Sequence, residues 1–209
     1  RGLGDVYKRQ LLAVKSGADV IVVDGMQGGT GATQECFIEH VGIPTLPAVR
    51  MAAEALKELG MHREGVQLIV SGGIRSGADV AKAIALGADA VSIGTAALIA
   101  LGDNNPDLEE EYNKLGTTAG FYDEWQAGDD PAGITTQDEK LAARLDPKKG
   151  GEKLANYLKV LTLEAQTLAR ACGKSHIRNL EPEDLNALTL EASAMAKVPL
   201  AGTDWIPGK

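Results

Sequence analysis

The stretch Val66–Leu98, VQLIVSGGIRSGADVAKAIALGADAVSIGTAAL, decides the fold of this chain. It reads as an apolar strand, a glycine-rich turn, a helix and a second apolar strand. Continuous apolar strands joined by a helix are typical of parallel βαβ units, whose sheet is covered on both faces. Ser76 is placed to cap the helix, and Gly87 is placed to end it. We therefore predict an α/β protein built on a parallel sheet.

The same alternation of strand and helix begins upstream of this stretch, near Leu11. We predict four strands, at Asp19–Asp24, Thr45–Val49, Gln67–Ser71 and Ala90–Ile93. Four strand–helix units make half of a (β/α)8 TIM barrel, and an open doubly wound sheet is the competing arrangement. We favour the C-terminal half of a barrel. Such a half leaves two open sheet edges, so we expect further chain before it.

The chain divides into three parts by composition. Residues 1–10, RGLGDVYKRQ, do not set up the helix that begins near Leu11, and we expect them to be a non-native leader. Residues 11–102 carry the alternating strands and helices and form the second half of the predicted barrel. Residues 103–209 begin with an acidic, loop-rich segment and become helical from about Gly151. We expect this helical C-terminal extension to pack on the barrel.

The overall composition excludes several classes of protein. The chain has 209 residues, a formal net charge of -8 and a pI of about 4.9, which argues against nucleic-acid binding. It shows neither a membrane-spanning apolar run nor a secretory signal, so we expect no membrane partner and a cytoplasmic location. Cys36 and Cys172 have no metal-ligand spacing and fit a reducing compartment. His40, His62 and His176 are spaced for neither a metal site nor a catalytic triad.

A pair of small residues that includes glycine follows each of the last two predicted strands. Gly72 and Gly73 come directly after one strand, and Gly94 and Thr95 come after the next. The carboxyl ends of neighbouring parallel strands meet at one edge, where glycine-rich turns present backbone amides to an anion. We predict a shared phosphate site there, with Arg75 as a candidate counter-charge. The alternative is that the glycines only turn the chain and that Arg75 is a solvated residue at a helix start.

A third glycine-rich loop, DGMQGGTGAT, spans Asp24–Thr33 and also follows a predicted strand. Its backbone amides could face the carboxylate or the ring of a ligand, because glycine leaves no side chain in the way. Asp24 at the strand end is either a hydrogen-bond acceptor for that ligand or a cap for the loop. A flexible turn without a ligand is the alternative.

These segments, together with DPAGITTQ at Asp130–Gln137, resemble the C-terminal half of the FMN-binding synthase domain of the glutamate synthase family. The tail from Leu168 to Thr203 is similar to the end of the shorter, stand-alone members. The resemblance implies a (β/α)8 barrel with FMN at its mouth. By the same match, the phosphate of FMN would be held by Gly72, Gly73, Gly94 and Thr95. The residues bordering the flavin and the substrate would be Asp24, Gly28, Gly29, Thr30 and Gly31.

The resemblance also implies a reaction and its partners. The family makes 2-iminoglutarate from 2-oxoglutarate and ammonia and reduces it with a hydride from reduced FMN, in glutamate biosynthesis and amino-acid metabolism. The chain does not open on a cysteine, so we expect the amidotransferase activity to lie on a partner subunit. The family's substrate-binding lysine, arginine and glutamine fall mostly in the first barrel half. The resemblance therefore assigns no catalytic residue to this chain.

One departure from the family concerns iron. Typical members bind a 3Fe–4S cluster through three cysteines spaced C-x5-C-x4-C, the last directly before P-x-G-[IV]. In this chain the matching positions hold Ala119, Trp125 and Asp130, none of which can replace a thiolate ligand. We predict that no cluster binds here. The loop resembles that of a cluster-free subgroup associated with N-methylglutamate synthase, whose amine is methylamine.

Two other functions are compatible with parts of the pattern. Inosine-monophosphate dehydrogenases share the SGGIRSG segment and use a catalytic cysteine, but Cys36 lies in an awkward place for a nucleophile. A half-barrel could also be non-catalytic and serve only to bind a partner subunit, and the fragment alone is expected to be inactive.

Overall fold

The computed structural model describes a defined part of the chain, namely residues 6–27, 40–103, 105–115 and 128–208. The chain divides into two compact units. The first unit comprises Arg1–Gly28, Gly42–Ser92 and Leu161–Lys209. The second comprises Gly29–Val41 and Ile93–Val160.

A three-stranded parallel sheet forms the centre of the first unit. Its strands are β1 (Val20–Asp24), β2 (Gln67–Ser71) and β3 (Ala90–Ser92), in the order β1-β2-β3. All of its strand pairs are parallel, as the continuous apolar runs predict. Leu68 and Val70 of β2 are fully buried, so one face of the sheet lies in the core.

Two helices of the first unit cover that face, α2 (Thr45–Glu58) and α3 (Gly77–Ala85). A further helix, α1 (Val6–Lys15), packs against α2. Ser76 caps α3 by accepting a hydrogen bond from the Asp79 amide, and the Asp79 carboxylate accepts one from the Ser76 amide. The predicted N-cap of this helix is thereby confirmed. Gly87 follows the helix with a φ of 120°, a backbone conformation that favours glycine.

One predicted strand is wrong. Thr45–Val49 forms the first turns of α2 and not a strand, so the described part of the first unit has three strands where we predicted four. Pro44 precedes the helix, and Pro47 lies in its first turn, where amides have no partner within the helix. Both prolines are therefore compatible with a helix start, and Ala48 and Val49 of this helix are buried.

The other face of the sheet carries exposed apolar side chains. Along β1, exposed and buried residues alternate, and Val20 and Val22 are 48% and 59% exposed. Their registered partners on β2 are Gln67 and Ile69, which are more exposed than the alternating Leu68 and Val70. Parallel sheets normally have both faces buried, so this face is unusual within the described residues.

The remaining elements are helical. The second unit contains α4 (Thr95–Leu101), a 3-10 turn (Pro106–Leu108), α5 (Glu109–Leu115), α6 (Glu139–Ala142) and the start of α7 (Pro147–Ala171). The first unit contains the end of α7, two 3-10 turns (Ile177–Asn179 and Pro182–Asp184) and α8 (Leu190–Ala196). The helix predicted from about Gly151 is confirmed, although it begins earlier, at Pro147.

His62 gives the first unit a predicted dependence on pH. Its Nε2 lies 2.9 Å from the Gly87 carbonyl oxygen. Burial is the largest effect on the pKa of His62 and lowers it below 6.5, although the Gly87 carbonyl opposes the shift. The unfolded chain then takes up a proton near pH 6.5 that the folded chain does not, so the contribution of His62 to stability is fully present above pH 6.5 and is lost as the pH falls below it. Urea unfolding on either side of that pH should show a smaller loss for His62→Gln than for the wild type. An equal loss in both proteins would contradict this assignment.

Candidate functional site

Polar side chains form a row at the carboxyl edge of the sheet. Asp24, Ser71 and Ser92 end the three strands and are paired in register, Asp24 with Ser71 and Ser71 with Ser92. Asp24 and Ser92 are exposed, and Ser71 is half-buried, so the row lies on the uncovered face. Asp24 was predicted from the sequence as a site residue, and both serines were missed. Their alternating positions in the strands were the signal that could have found them.

The loop after β1 runs close to the start of α2. The Gly25 amide donates to the Ser71 carbonyl oxygen at 2.9 Å, which ties this loop to the end of β2. A Cβ atom at Gly25 would lie 2.5 Å from the Thr45 Cα, a distance at which the backbone would have to shift. The first glycine of the loop is therefore required by close packing against a helix.

Gln27 links this loop to α2 and to the glycine pair after β2. Its Oε1 accepts the Thr45 amide at 2.7 Å and lies 2.8 Å from the Thr45 hydroxyl oxygen. It thereby caps α2, since Pro44 before the helix makes no side-chain cap. The same Thr45 hydroxyl lies 3.0 Å from the Gly72 carbonyl oxygen. Sequence reasoning missed Gln27 because its partner is eighteen residues away.

Gly72 and Gly73 turn the chain at the end of β2. Their φ angles are 116° and 74°, both in the region that favours glycine. A Cβ at Gly73 would lie 3.1 Å from the Gln27 Cβ, which is a tight contact. The structure thus brings Asp24, Gly72 and Gly73 to one edge of the sheet. It also provides a structural reason for both glycines.

The backbone amides at and just before the start of α3 donate to carboxylates of the protein itself. The Arg75 and Ser76 amides donate to the Asp79 carboxylate at 3.0 and 3.2 Å, and the Gly77 amide donates to Glu164 Oε2 at 2.7 Å. The Arg75 side chain is 81% exposed and lies 3.9 Å from the Asp79 carboxylate. Two carboxylates therefore occupy the position at this helix start where an anion would bind. The role predicted for Arg75 stays a prediction.

Gly94 and Thr95 lie in the second unit, at the start of α4. Gly94 precedes the helix with a φ of −124°, and its carbonyl accepts the Ala97 and Leu98 amides. A Cβ at Gly94 would meet no atom of the protein within 4 Å. Close packing therefore does not require this glycine, unlike Gly25. Gly28, Gly29, Thr30 and Gly31 lie outside the described residues, as does Cys36.

The structure describes only one of the three positions that the family resemblance matches to iron-binding cysteines. Ala119 and Trp125 lie outside the described residues. Asp130 is described, and its carboxylate accepts three backbone amides and the Tyr112 hydroxyl. Burial by itself raises the pKa of Asp130. The hydrogen bonds from Thr135 and the other donors outweigh it and hold the pKa below its usual value.

Two further observations cover only the described ranges. No group of three or more histidine, cysteine or acidic side chains is arranged there to hold a metal ion. Within those ranges, no helix combines the length and the apolar character needed to cross a bilayer.

Comparisons with known proteins identify relatives of this chain. Residues 4–105 and 126–175 match the family described as the conserved region in glutamate synthase. A glutamate synthase large subunit-like protein of Rhizobium meliloti (strain 1021) is 72% identical over 203 residues, which cover 97% of this chain and 46% of that protein. An archaeal glutamate synthase [NADPH] of Methanocaldococcus jannaschii is 43% identical over 165 residues, which cover 79% of this chain and 29% of that protein.

A solved structure shares the fold. It is a mutant flavocytochrome b2 with pyruvate bound, with a TM-score of 0.52 and 19% sequence identity, and the match covers 100% of this chain and 36% of that one. The chain spans less than half the length of the two curated relatives above. The family match includes the strands of the sheet, the pair Gly72 and Gly73 after β2, and the pair Gly94 and Thr95 after β3. The family predicted from the quoted motifs is thereby confirmed, and the chain belongs to the glutamate synthase family.

Proposed function

We propose that the protein takes part in the FMN-dependent reductive amination of 2-oxoglutarate, to glutamate or to an N-alkylated glutamate such as N-methylglutamate. The observation that carries the proposal is the pair of turns that follow β2 and β3. These strands are hydrogen-bonded neighbours. Gly72 follows β2 directly, and Gly94 follows β3 after one intervening residue. Membership in the glutamate synthase family supports the same reaction class.

The proposed fold for the whole protein is a (β/α)8 barrel, of which this sheet supplies part. Helices cover one face of the three parallel strands, while Val20 and Val22 on the other face are exposed. In a barrel that second face is the packed interior, filled by side chains from the remaining strands. This arrangement would account for apolar side chains that the described residues leave uncovered.

The residues that would hold the phosphate of FMN are Gly72, Gly73, Gly94 and Thr95. Positive φ angles at Gly72 and Gly73 and the open space beside Gly94 fit a ligand that approaches the backbone closely. FMN, when bound, supplies the hydride for the reduction. The proposed role of this chain is to bind and orient the cofactor, and Arg75 would provide a positive charge beside it.

The substrate would lie against the loop after β1. Asp24 is exposed at the strand end, and its carboxylate can accept hydrogen bonds from ligand N–H or O–H groups. Gly28, Gly29, Thr30 and Gly31 complete the proposed substrate loop. The amine would be ammonia or methylamine. In either case we propose that an amidotransferase-like or other partner subunit works with this one in the cytoplasm.

The binding of FMN tests this proposal through its phosphate. The full-length protein should bind FMN more tightly than riboflavin, which has the same ring system and no phosphate. Gly94→Ala should raise the Kd for FMN about tenfold or more, because a methyl group would occupy the space proposed for the phosphate and weaken its charge-assisted hydrogen bonds. The Kd for riboflavin should change little. Quenching of flavin fluorescence measures both constants.

Gly151→Ala is the matched control, because a Cβ there also meets no atom within 4 Å and the residue lies within α7. It should leave both constants unchanged. Equal affinities for FMN and riboflavin in the wild type would exclude the phosphate site. For a protein that binds FMN, turnover of 2-oxoglutarate with ammonia or with methylamine then identifies the amine, and turnover with neither would refute the proposed reaction.

A further inference from the structure

The loop that carries iron ligands in typical family members is held by hydrogen bonds to a carboxylate in this chain. The family's third cysteine position is occupied by Asp130, directly before Pro131. The cluster of typical relatives is held by cysteine thiolates, and any ligand to iron needs a lone pair that is free to bind it. The carboxylate of Asp130 meets neither requirement, because its oxygens already accept hydrogen bonds from the loop itself. The residues present therefore do not fit a cluster.

The hydrogen bonds use both oxygens of the carboxylate. Oδ1 accepts the Ala132 amide at 2.9 Å and the Tyr112 hydroxyl at 3.1 Å. Oδ2 accepts the Ile134 and Thr135 amides at 2.7 and 2.8 Å. An ionised carboxylate offers about four acceptor positions. Three amides occupy three of them, and the fourth faces the Tyr112 hydroxyl, whose single proton is also within reach of Asp103. Three of the four donors are backbone amides within the five residues that follow Asp130.

The same loop is packed against its surroundings in the second unit. Gly133 has a φ of 74°, and a Cβ there would lie 3.0 Å from the Leu141 carbonyl carbon of α6. Arg144 Nη1 donates to the Pro131 carbonyl oxygen at 3.0 Å. The Tyr112 hydroxyl, which belongs to α5, also lies 3.1 Å from Asp103 Oδ1. The carboxylate of Asp130 thus connects the loop to α5, while Gly133 and Arg144 join it to α6 and the chain that follows.

We propose that Asp130 is a positioning residue whose carboxylate holds the loop at residues 130–135 in the place where a metal-bound thiolate holds it in typical relatives. The loop is then fixed by hydrogen bonds that need an ionised carboxylate, and it needs no iron. The inference rests on the family assignment and on the described contacts of the second unit. It does not depend on the proposed flavin site.

Amide hydrogen exchange tests the proposal on the protein without any flavin. In Asp130→Asn, an NH2 group faces backbone amides that need an acceptor. We expect exchange at Ala132, Ile134 and Thr135 to become about tenfold faster or more. A metal chelator should leave exchange in the wild type unchanged. If the three amides keep their protection in the variant, or if the chelator exposes them in the wild type, the proposal is wrong.

Asp138→Asn is the matched control, since Asp138 Oδ1 accepts the Lys140 and Leu141 amides in the same unit. It should speed exchange at those two amides and leave Ala132, Ile134 and Thr135 protected. General loosening of the unit would instead expose both sets in both variants, and that outcome would remove the specific role of Asp130.

Should Asp130→Asn fail to fold, the wild type provides the second measurement. The protection factors of Ala132, Ile134 and Thr135 should fall when the Asp130 carboxylate is protonated at acidic pH. Among the described residues, the titratable or charged groups around it are Tyr112, Asp103 beyond the Tyr112 hydroxyl, Arg144 at the neighbouring carbonyl, and Glu111, which pairs with Arg144. Buried amides of α3 serve as the reference. Constant protection of the loop relative to that helix would overturn the proposal.

Discussion

Replacing Gly77 with alanine should destabilise the chain by about 3 kcal/mol or more, because α3 and α7 touch through this residue. A Cβ at Gly77 would lie 2.6 Å from the Ala165 amide nitrogen and 2.6 Å from the Glu164 Cβ. It would also meet the Leu161 carbonyl oxygen. Helix backbone cannot move aside as a flexible side chain can, so the two helices must separate. Separation also weakens the hydrogen bond from the Gly77 amide to Glu164, which is 2.7 Å long.

Urea unfolding of the 209-residue chain measures this effect, and Gly151→Ala provides the comparison. Gly151 is also helical, but a Cβ there would meet no atom within 4 Å. Alanine at that position should stabilise the chain by about 0.5–1 kcal/mol, through helix propensity alone. A destabilisation of similar size in both variants would mean that the close approach of α3 and α7 is not the reason why position 77 needs glycine.

Much of the sheet could be predicted from the sequence because its strands are continuous apolar runs bounded by glycine or charge. The predicted strands at Asp19–Asp24 and Gln67–Ser71 agree with β1 and β2 to within one residue. Thr45–Val49 was misassigned because a short apolar segment has no period long enough to separate a strand from a helix. Pro44 before the segment and Pro47 within it are compatible with either a strand or a helix start. The decisive contact is the Gln27 side chain on the Thr45 amide, which no local pattern reveals.

The candidate site was predictable mainly at strand ends followed by glycine, where the sequence names Asp24, Gly72 and Gly73. Gly72 and Gly73 were found because two adjacent glycines after an apolar run indicate an unusual turn. Glu164 was missed because it accepts a hydrogen bond from the Gly77 amide, which is eighty-seven residues away in the sequence. The absence of cysteine at position 130 was visible in the sequence. The role of the aspartate there was not, because it depends on how the following backbone folds around the carboxylate.

The second large effect is expected at Glu54, the carboxylate shared by two cations of the first unit. Glu54 Oε1 lies 3.7 Å from Arg50 Nε, and Glu54 Oε2 lies 2.5 Å from Lys197 Nζ at the end of α8. The Arg50 side chain is only 10% exposed, and its Nε and Nη1 have no hydrogen-bond partner among the described residues. Glu54→Gln would leave two positive charges beside each other, one of them buried. We expect a loss of about 2–3 kcal/mol, below the full cost of a buried pair because Lys197 is partly exposed.

Two further variants separate this charge effect from a simple loss of packing. Glu58→Gln, at an exposed position of the same helix, should change the free energy of unfolding by less than about 0.5 kcal/mol. Arg50→Met removes the buried cation and leaves Glu54 paired with Lys197, so it should be close to neutral or stabilising. In the Arg50→Met background, Glu54→Gln should then cost well under half of what it costs in the wild type. An undiminished cost in that background would show that Glu54 acts through Lys197 alone and that the buried guanidinium does not depend on it.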